Sequence, residues 1–153
     1  MVEAMVALGV ITVGLLGMLE LLSNSLSLNR VAADQYTGTY IASEGIEIIK
    51  NLIDKNVIAG VPWNTGFSNG FYEADYTNVS LPLAPFGAGR FINVDSTTGS
   101  YGYGAGMTTT YKRSIEIALI GADEIRVNSL VTWSSRGAAS FSVNVEDRFF
   151  NWR

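Results

Sequence analysis

From Ala4 to Leu19 the chain carries no charged residue, a run of 16 positions, and no Lys or Arg occurs before Arg30. Residues 2–22 read VEAMVALGVITVGLLGMLELL. As an α-helix the uncharged run spans about 24 Å, and its flanking apolar residues carry it toward the ~30 Å of a bilayer's hydrocarbon core. The segment is apolar on every side, so it suits lipid or a wholly protein-lined interior better than a surface groove. A buried core helix has the same composition at this length. A secretory signal peptide fits less well, because its start is acidic and no A-x-A-like site follows Leu22. Glu3 is the one acid that opens the run. It complements the helix dipole in the first turn, worth about 0.3–1 kcal/mol, and a carboxylate at membrane depth also marks a functional position.

The rest of the composition narrows the classes. With 153 residues the chain has room for one domain with a modest core. It contains no Cys and no His, which excludes disulfides, thiolate zinc sites, Cys nucleophiles and every His-based triad. Only 16% of residues are charged, against about 25% in average soluble domains. The net charge of −4 disfavours a phosphate-neutralising protein, so no nucleic-acid partner is expected. Ser–Lys chemistry is the nucleophile arrangement left. Lys50, Lys55 and Lys112 have no Ser at motif spacing, so no enzymatic function and no cofactor are expected.

Beyond Leu22 the chain becomes polar but keeps a helical pattern. Ala42, Ile46, Ile49 and Ile53 recur at i, i+4, i+7 and i+11 and form one apolar stripe, while charges of both signs occupy the other faces. Gly60, Val61 and Pro62 stop the helix. A single helix over roughly 2–58 would be about 85 Å long, so a small domain can cover only its second half. Gly9, Gly14 and Gly17 interrupt the apolar half, each costing about 1 kcal/mol of propensity; one reading of them is close packing of helix on helix, and the alternative is a local loss of helix around Gly14–Gly17.

Residues 60–110 change character. They hold nine of the sixteen glycines and all three prolines, with many Tyr, Ser, Thr and Asn. Residues 71–76 and 90–94 are short strand candidates, Asp95 to Gly99 is a turn, and 100–110 is near low-complexity. Asn78-Val79-Ser80 is a sequon by pattern. Residues 111–120, 125–133 and 139–149 alternate with period two and are joined by turns at Gly121 to Glu124 and Ser134 to Gly137, which predicts an antiparallel meander. The alternation puts Ile115, Ile117 and Leu119 on one face, with Arg113 expected on the opposite one. The expected class is α+β. A long N-terminal helix packs by its second half on a C-terminal sheet. The divisions are 1–22 (membrane or filament-core half), 23–59 (amphipathic half), 60–110 (exposed Gly/Tyr-rich loops) and 111–153 (sheet).

A lone Glu opening some twenty apolar residues, with Gly9, Gly14 and Gly17 among them, resembles the N-terminal helix of type IV pilins, most closely the PilV-like minor pilins and the type II secretion pseudopilins. The resemblance covers residues 2–22 strongly, 23–58 fairly and 111–153 in architecture, with Asn151-Trp152-Arg153 like the tail of some PilV-like chains; it is absent over 60–110. It implies a pilin fold and a structural subunit of a surface filament serving adhesion, motility or uptake. The alternatives it carries are a secretion pseudopilin and a tip or priming minor pilin, and a membrane-anchored adhesive module is the reading from another class. It implies removal of a short basic leader and an N-methylated Phe a few residues before the Glu, where this sequence has Met1 and Val2. It further implies that Glu3 pairs with the N-terminus of a neighbouring subunit and that Gly9, Gly14 and Gly17 pack in the filament core. The implied partners are other pilins in a homo- or mixed polymer and the assembly machinery. The precursor would be held in the inner membrane and the filament outside the cell. Some secretion pseudopilins hold calcium in such loops, and the nearest oxygen set here is Glu73, Asp75 and Asp95. Its spacing is not that of an EF-hand, and turn and strand-edge roles are expected instead.

Overall fold

The computed structural model describes residues 1–87, 89–135 and 140–151. The expected turn residues Arg136 and Gly137, the start of the third meander run at Ala139, and the terminal Trp152 and Arg153 lie outside the described residues. The chain divides into two units, Met1–Gln35 and Tyr36–Arg153. One helix, α1 (Val2–Ile58), supplies all of the first unit after Met1 and the opening of the second.

In the first unit almost every side chain is exposed. The helix there is long and apolar enough to cross a membrane, and none of its most apolar window is buried. A run this apolar has no core of its own to enter, so lipid or another protein must cover it.

The second unit is the α+β head. Its part of α1 buries Gly38, Ile41, Ala42, Gly45, Ile46, Ile48, Ile49, Leu52 and Ile53. All four stripe residues anticipated from the periodicity are thus in the core. The helix stops as the Gly-Val-Pro signal requires. Gly60 takes φ +71°, Gly60 N donates to Val57 O at 3.1 Å and Val61 N to Asn56 O at 3.1 Å. This is the paired closure that uses a left-handed glycine to satisfy the last carbonyls. Asn56 Nδ2 then donates to Trp63 O and Thr65 O and ties down the following loop.

Among the described residues seven strands form one antiparallel sheet: β1 (Gly70–Glu73), β2 (Ala84–Pro85), β3 (Phe91–Val94), β4 (Tyr101–Gly102), β5 (Met107–Ile120), β6 (Glu124–Ser134) and β7 (Ser140–Phe150). The meander is β5, β6 and β7, with Ile117 opposite Val127 and Val131 opposite Val143. The first run starts four residues earlier than the alternation suggested, at Met107, inside the low-complexity stretch. The other edge of β5 is shared end to end. Its residues 115–117 pair with β1, and Met107, Thr108 and Lys112 pair with β3. β2 and β4 extend β1 and β3 by two residues each.

Residues 60–110 are therefore not only an exposed loop. Trp63, Phe67, Ala74 and Leu83 enter the cluster built on Ile46, Ile49, Ile115, Ile117, Ile125 and Val127. Ile92 joins a second cluster with Ile41, Ala42, Tyr111, Val131 and Trp133. Each fully buried large aliphatic side chain contributes about 1.5–3 kcal/mol. The helix can approach the sheet closely because of Gly38 and Gly45. A Cβ built at Gly38 would lie 2.7 Å from Trp133 Cζ3, and one at Gly45 would collide with the Ser129 hydroxyl.

Arg113 reverses the expectation. It shares strand parity with Ile115 and Ile117, lies on the helix-facing side and is only 1% exposed. Its charge is tolerated because the guanidinium is occupied on two sides. Nη1 donates to Ile41 O at 2.8 Å and to Glu44 Oε2 at 3.0 Å, and Nη2 donates to Ala74 O. A buried cation so paired is tied to helix, β5 and the segment after β1 at once.

Candidate functional site

Two places collect the residues singled out from the sequence. The first is the apolar half of α1. Glu3 is the acid of its first turn and is exposed. Gly9, Gly14 and Gly17 face open space, with no atom within 4 Å of a Cβ built at any of them. Within the chain, then, nothing requires glycine at these positions. Thr12 Oγ1 returns its hydrogen bond to Leu8 O at 2.7 Å, so this hydroxyl is satisfied by its own helix. Leu8, Val13, Leu16 and Leu21 are 58% or more exposed, on every side of the helix. What this surface can do chemically is bury apolar area against lipid or other helices.

The second place is a polar cluster in the head, where two of the three candidate metal ligands lie. Glu73 is buried and accepts from Arg90 Nε at 2.6 Å and Arg90 N at 3.2 Å. Asp75 is buried; its Oδ1 accepts from Thr77 N and Thr77 Oγ1, and its Oδ2 accepts from Tyr103 N at 2.7 Å. Burial pushes the Asp75 carboxyl up. The hydrogen bonds from Thr77 and Tyr103, helped by the Arg113 charge, outweigh it and hold the group below the usual carboxylate range. Tyr103 lies beneath the Arg90 guanidinium, 4.5 Å from it, and its hydroxyl donates to Arg113 O at 3.3 Å. Burial raises the Tyr103 hydroxyl above its ordinary value. Asp95 stands apart in its turn. It accepts from Thr97 N and Thr98 Oγ1, and these bonds lower its carboxyl.

Each carboxylate is thus engaged by donors of its own chain, as turn and strand-edge residues are. Among the described residues no group of three or more His, Cys, Asp or Glu is placed to hold a metal ion. The tyrosines of the Gly-rich segment divide in the same way. Tyr101 and Tyr103 are half-buried and Tyr76 stays exposed, while Tyr111 at the start of the meander is buried, its ring tilted by 43° to that of Trp133 at 5.6 Å. Among the basic side chains here, Arg90 is paired with Glu73 and Arg113 is buried. Lys112 is turned outward, its ammonium 4.5 Å over the Phe91 ring. It lines an open groove of about 440 Å³ with Phe71, Phe86 and Leu130 on the sheet's outer face.

Sequence reading did not anticipate the Arg113 anchor, although its strand parity was the available signal. No family model, curated protein or solved structure matches the chain.

Proposed function

We propose that the chain is a structural subunit of a type IV pilus-like filament, anchored by residues 1–22 and polymerising through them. The observation that carries this reading is the pairing of two unlike units in one short chain. One is a helix apolar on all sides and uncovered. The other is an α+β head whose core is complete without it. In a helix serving only as an anchor, an acid in the first turn does no more than complement the dipole. In a polymer whose helices pack together it gains a larger use, because each N-terminal ammonium carried into an apolar core needs a carboxylate from a neighbour to avoid a cost of several kcal/mol. Glu3 is the group we assign to that role, and Gly9, Gly14 and Gly17 are the positions where neighbouring helices come close. The membrane holds the subunit before assembly.

The test is electron microscopy of fibres sheared from cells producing the chain, with mass spectrometry of their subunits. The chain is expected in the fibre. Glu3→Ala should leave the subunit in the membrane fraction and remove it from the fibre. Fibres that incorporate Glu3→Ala at the normal level would overturn the role of Glu3, and a chain absent from all surface fibres would overturn the filament reading.

A further inference from the structure

The sheet's outer face, turned away from α1, is not uniformly polar. Phe71 is 57% exposed, Phe91 48%, Leu130 39% and Phe86 36%. None of the four belongs to either core cluster. Strand pairing sets their places. Phe91 lies opposite Lys112 of β5, Leu130 opposite Ser114 and Phe71 opposite Glu116. Phe86 is held beside Phe71, to whose carbonyl its N–H donates at 2.8 Å. The groove of about 440 Å³ on this face is lined by Phe71, Phe86, Leu130, Lys112, Ser114 and Thr132. Its one full charge among the described residues is the Lys112 ammonium. That ammonium rests over the Phe91 ring at 4.5 Å and has no carboxylate of the described residues within ion-pair distance. The nearest acid along the same face of β5 is Glu116, four residues on, and it already accepts from Asn128 Nδ2.

A ring face attracts an ammonium but leaves its three N–H donors without ordinary acceptors. What completes Lys112 is therefore an anion, and what covers the rings beside it is apolar. We infer that this groove is a docking site for an extended peptide segment of another protein, with a carboxylate on Lys112 and apolar side chains on Phe71, Phe86 and Leu130. The charge selects the acid: the Lys112 end offers donors only, which a carboxylate accepts at greater strength than a neutral group does. The length selects a peptide over a small free acid. From Lys112 to Glu116, where Phe71 begins, β5 covers about 13 Å, which is the reach of four extended residues. An acid with apolar residues two and four positions away presents all three side chains on one side at that span. The inference concerns the head alone and holds whether or not the chain polymerises.

The experiment measures binding of dye-labelled peptides to the full chain in phosphatidylcholine nanodiscs, by fluorescence anisotropy. The probes are serine-based heptapeptide amides with one Glu and with Phe or Leu two and four residues before or after it, each beside a counterpart with Gln for Glu. At least one Glu peptide is expected to bind at least about tenfold more tightly than its Gln counterpart. Lys112→Gln should remove that preference, and Lys112→Arg should keep it within about threefold. Phe71→Ser with Leu130→Ser should weaken the Glu peptide at least about tenfold. Thermal melting of the two Lys112 variants should match the parent, since the ammonium lies outside the core. A panel without any preference for Glu overturns the inference, and so does a preference that survives Lys112→Gln. Displacement of the peptide by 3-phenylpropanoate at equal concentration would give the groove to a small acid instead. Binding of phosphatidylglycerol vesicles that requires Lys112, with no peptide bound, would give the face to a membrane and overturns the inference as well.

Discussion

The same helix passes through two regimes. Leu16, in the first unit, is 60% exposed, while Ile49, in the head, is wholly buried. Their side chains are similar, and so is the helical backbone that carries them. What differs is the residue set between them. The first unit has apolar residues on all sides and no strand to receive them, whereas the head's turns confine apolar residues to one stripe and set small residues where the sheet comes close. A hydrophobic residue thus reports its environment only through its neighbours. A stripe describes a helix that completes its core within the chain, and an unbroken apolar surface describes one that completes it elsewhere.

The largest effect should come where the head is least replaceable. Arg113→Ala removes the cation that joins Ile41 O, Glu44 and Ala74 O. A loss of about 3–5 kcal/mol is expected in denaturant unfolding of the head, because one partner of a buried pair is taken away. A change under 1 kcal/mol would mean that the guanidinium is not what fastens helix to sheet. Next, Ile49→Ala should cost about 2–5 kcal/mol, while Leu16→Ala should leave the head within about 0.5 kcal/mol of the parent. Equal effects on the head's melting curve would erase the distinction between the two regimes.

The glycines sharpen it further. Gly38→Ala drives a methyl against Trp133 and should destabilise by about 1–3 kcal/mol. Gly14→Ala meets nothing and should raise helicity in detergent by circular dichroism, by about 1 kcal/mol of propensity.

The smallest effect is pH-dependent. The Asp75 carboxyl is held below its ordinary value in the folded head. Its contribution is therefore complete above the unfolded value of about 3.9 and fades as pH falls through the lower folded value. Asp75→Asn should cost about 1 kcal/mol at neutral pH, and the cost should shrink in melts taken below about pH 4.

Much of this was legible in the residues. The helix, its glycine stop and its core stripe follow from a period of 3.6, and β5 to β7 from a period of two sustained over many positions. The candidates 71–76 and 90–94 correspond to β1 and β3, but two-residue β2 and β4 are too short to show a period, and the pairing of β1 and β3 was not legible because it depends on β5 from far along the chain. Arg113 was misplaced for a different reason. Its charge argued for solvent, its parity with Ile115 argued for the core, and Glu44 with two backbone carbonyls made the second possible. At the apolar half, Glu3, Gly9, Gly14 and Gly17 stand exposed, and the single chain brings nothing against the three glycines.

The sharing of β5 has a consequence for the order in which the head is built. β1 and β3 have no strand to pair with, apart from two-residue β2 and β4, until Met107 and the residues after it exist. During synthesis, which runs at about 5–20 residues per second, residues 60–106 must wait for the strand that organises them. The pairing of Gly70 with Ile117 then closes a long loop in one step. A chain cut before Met107 keeps α1 and every candidate strand of the Gly-rich segment, yet has no template on which to lay them.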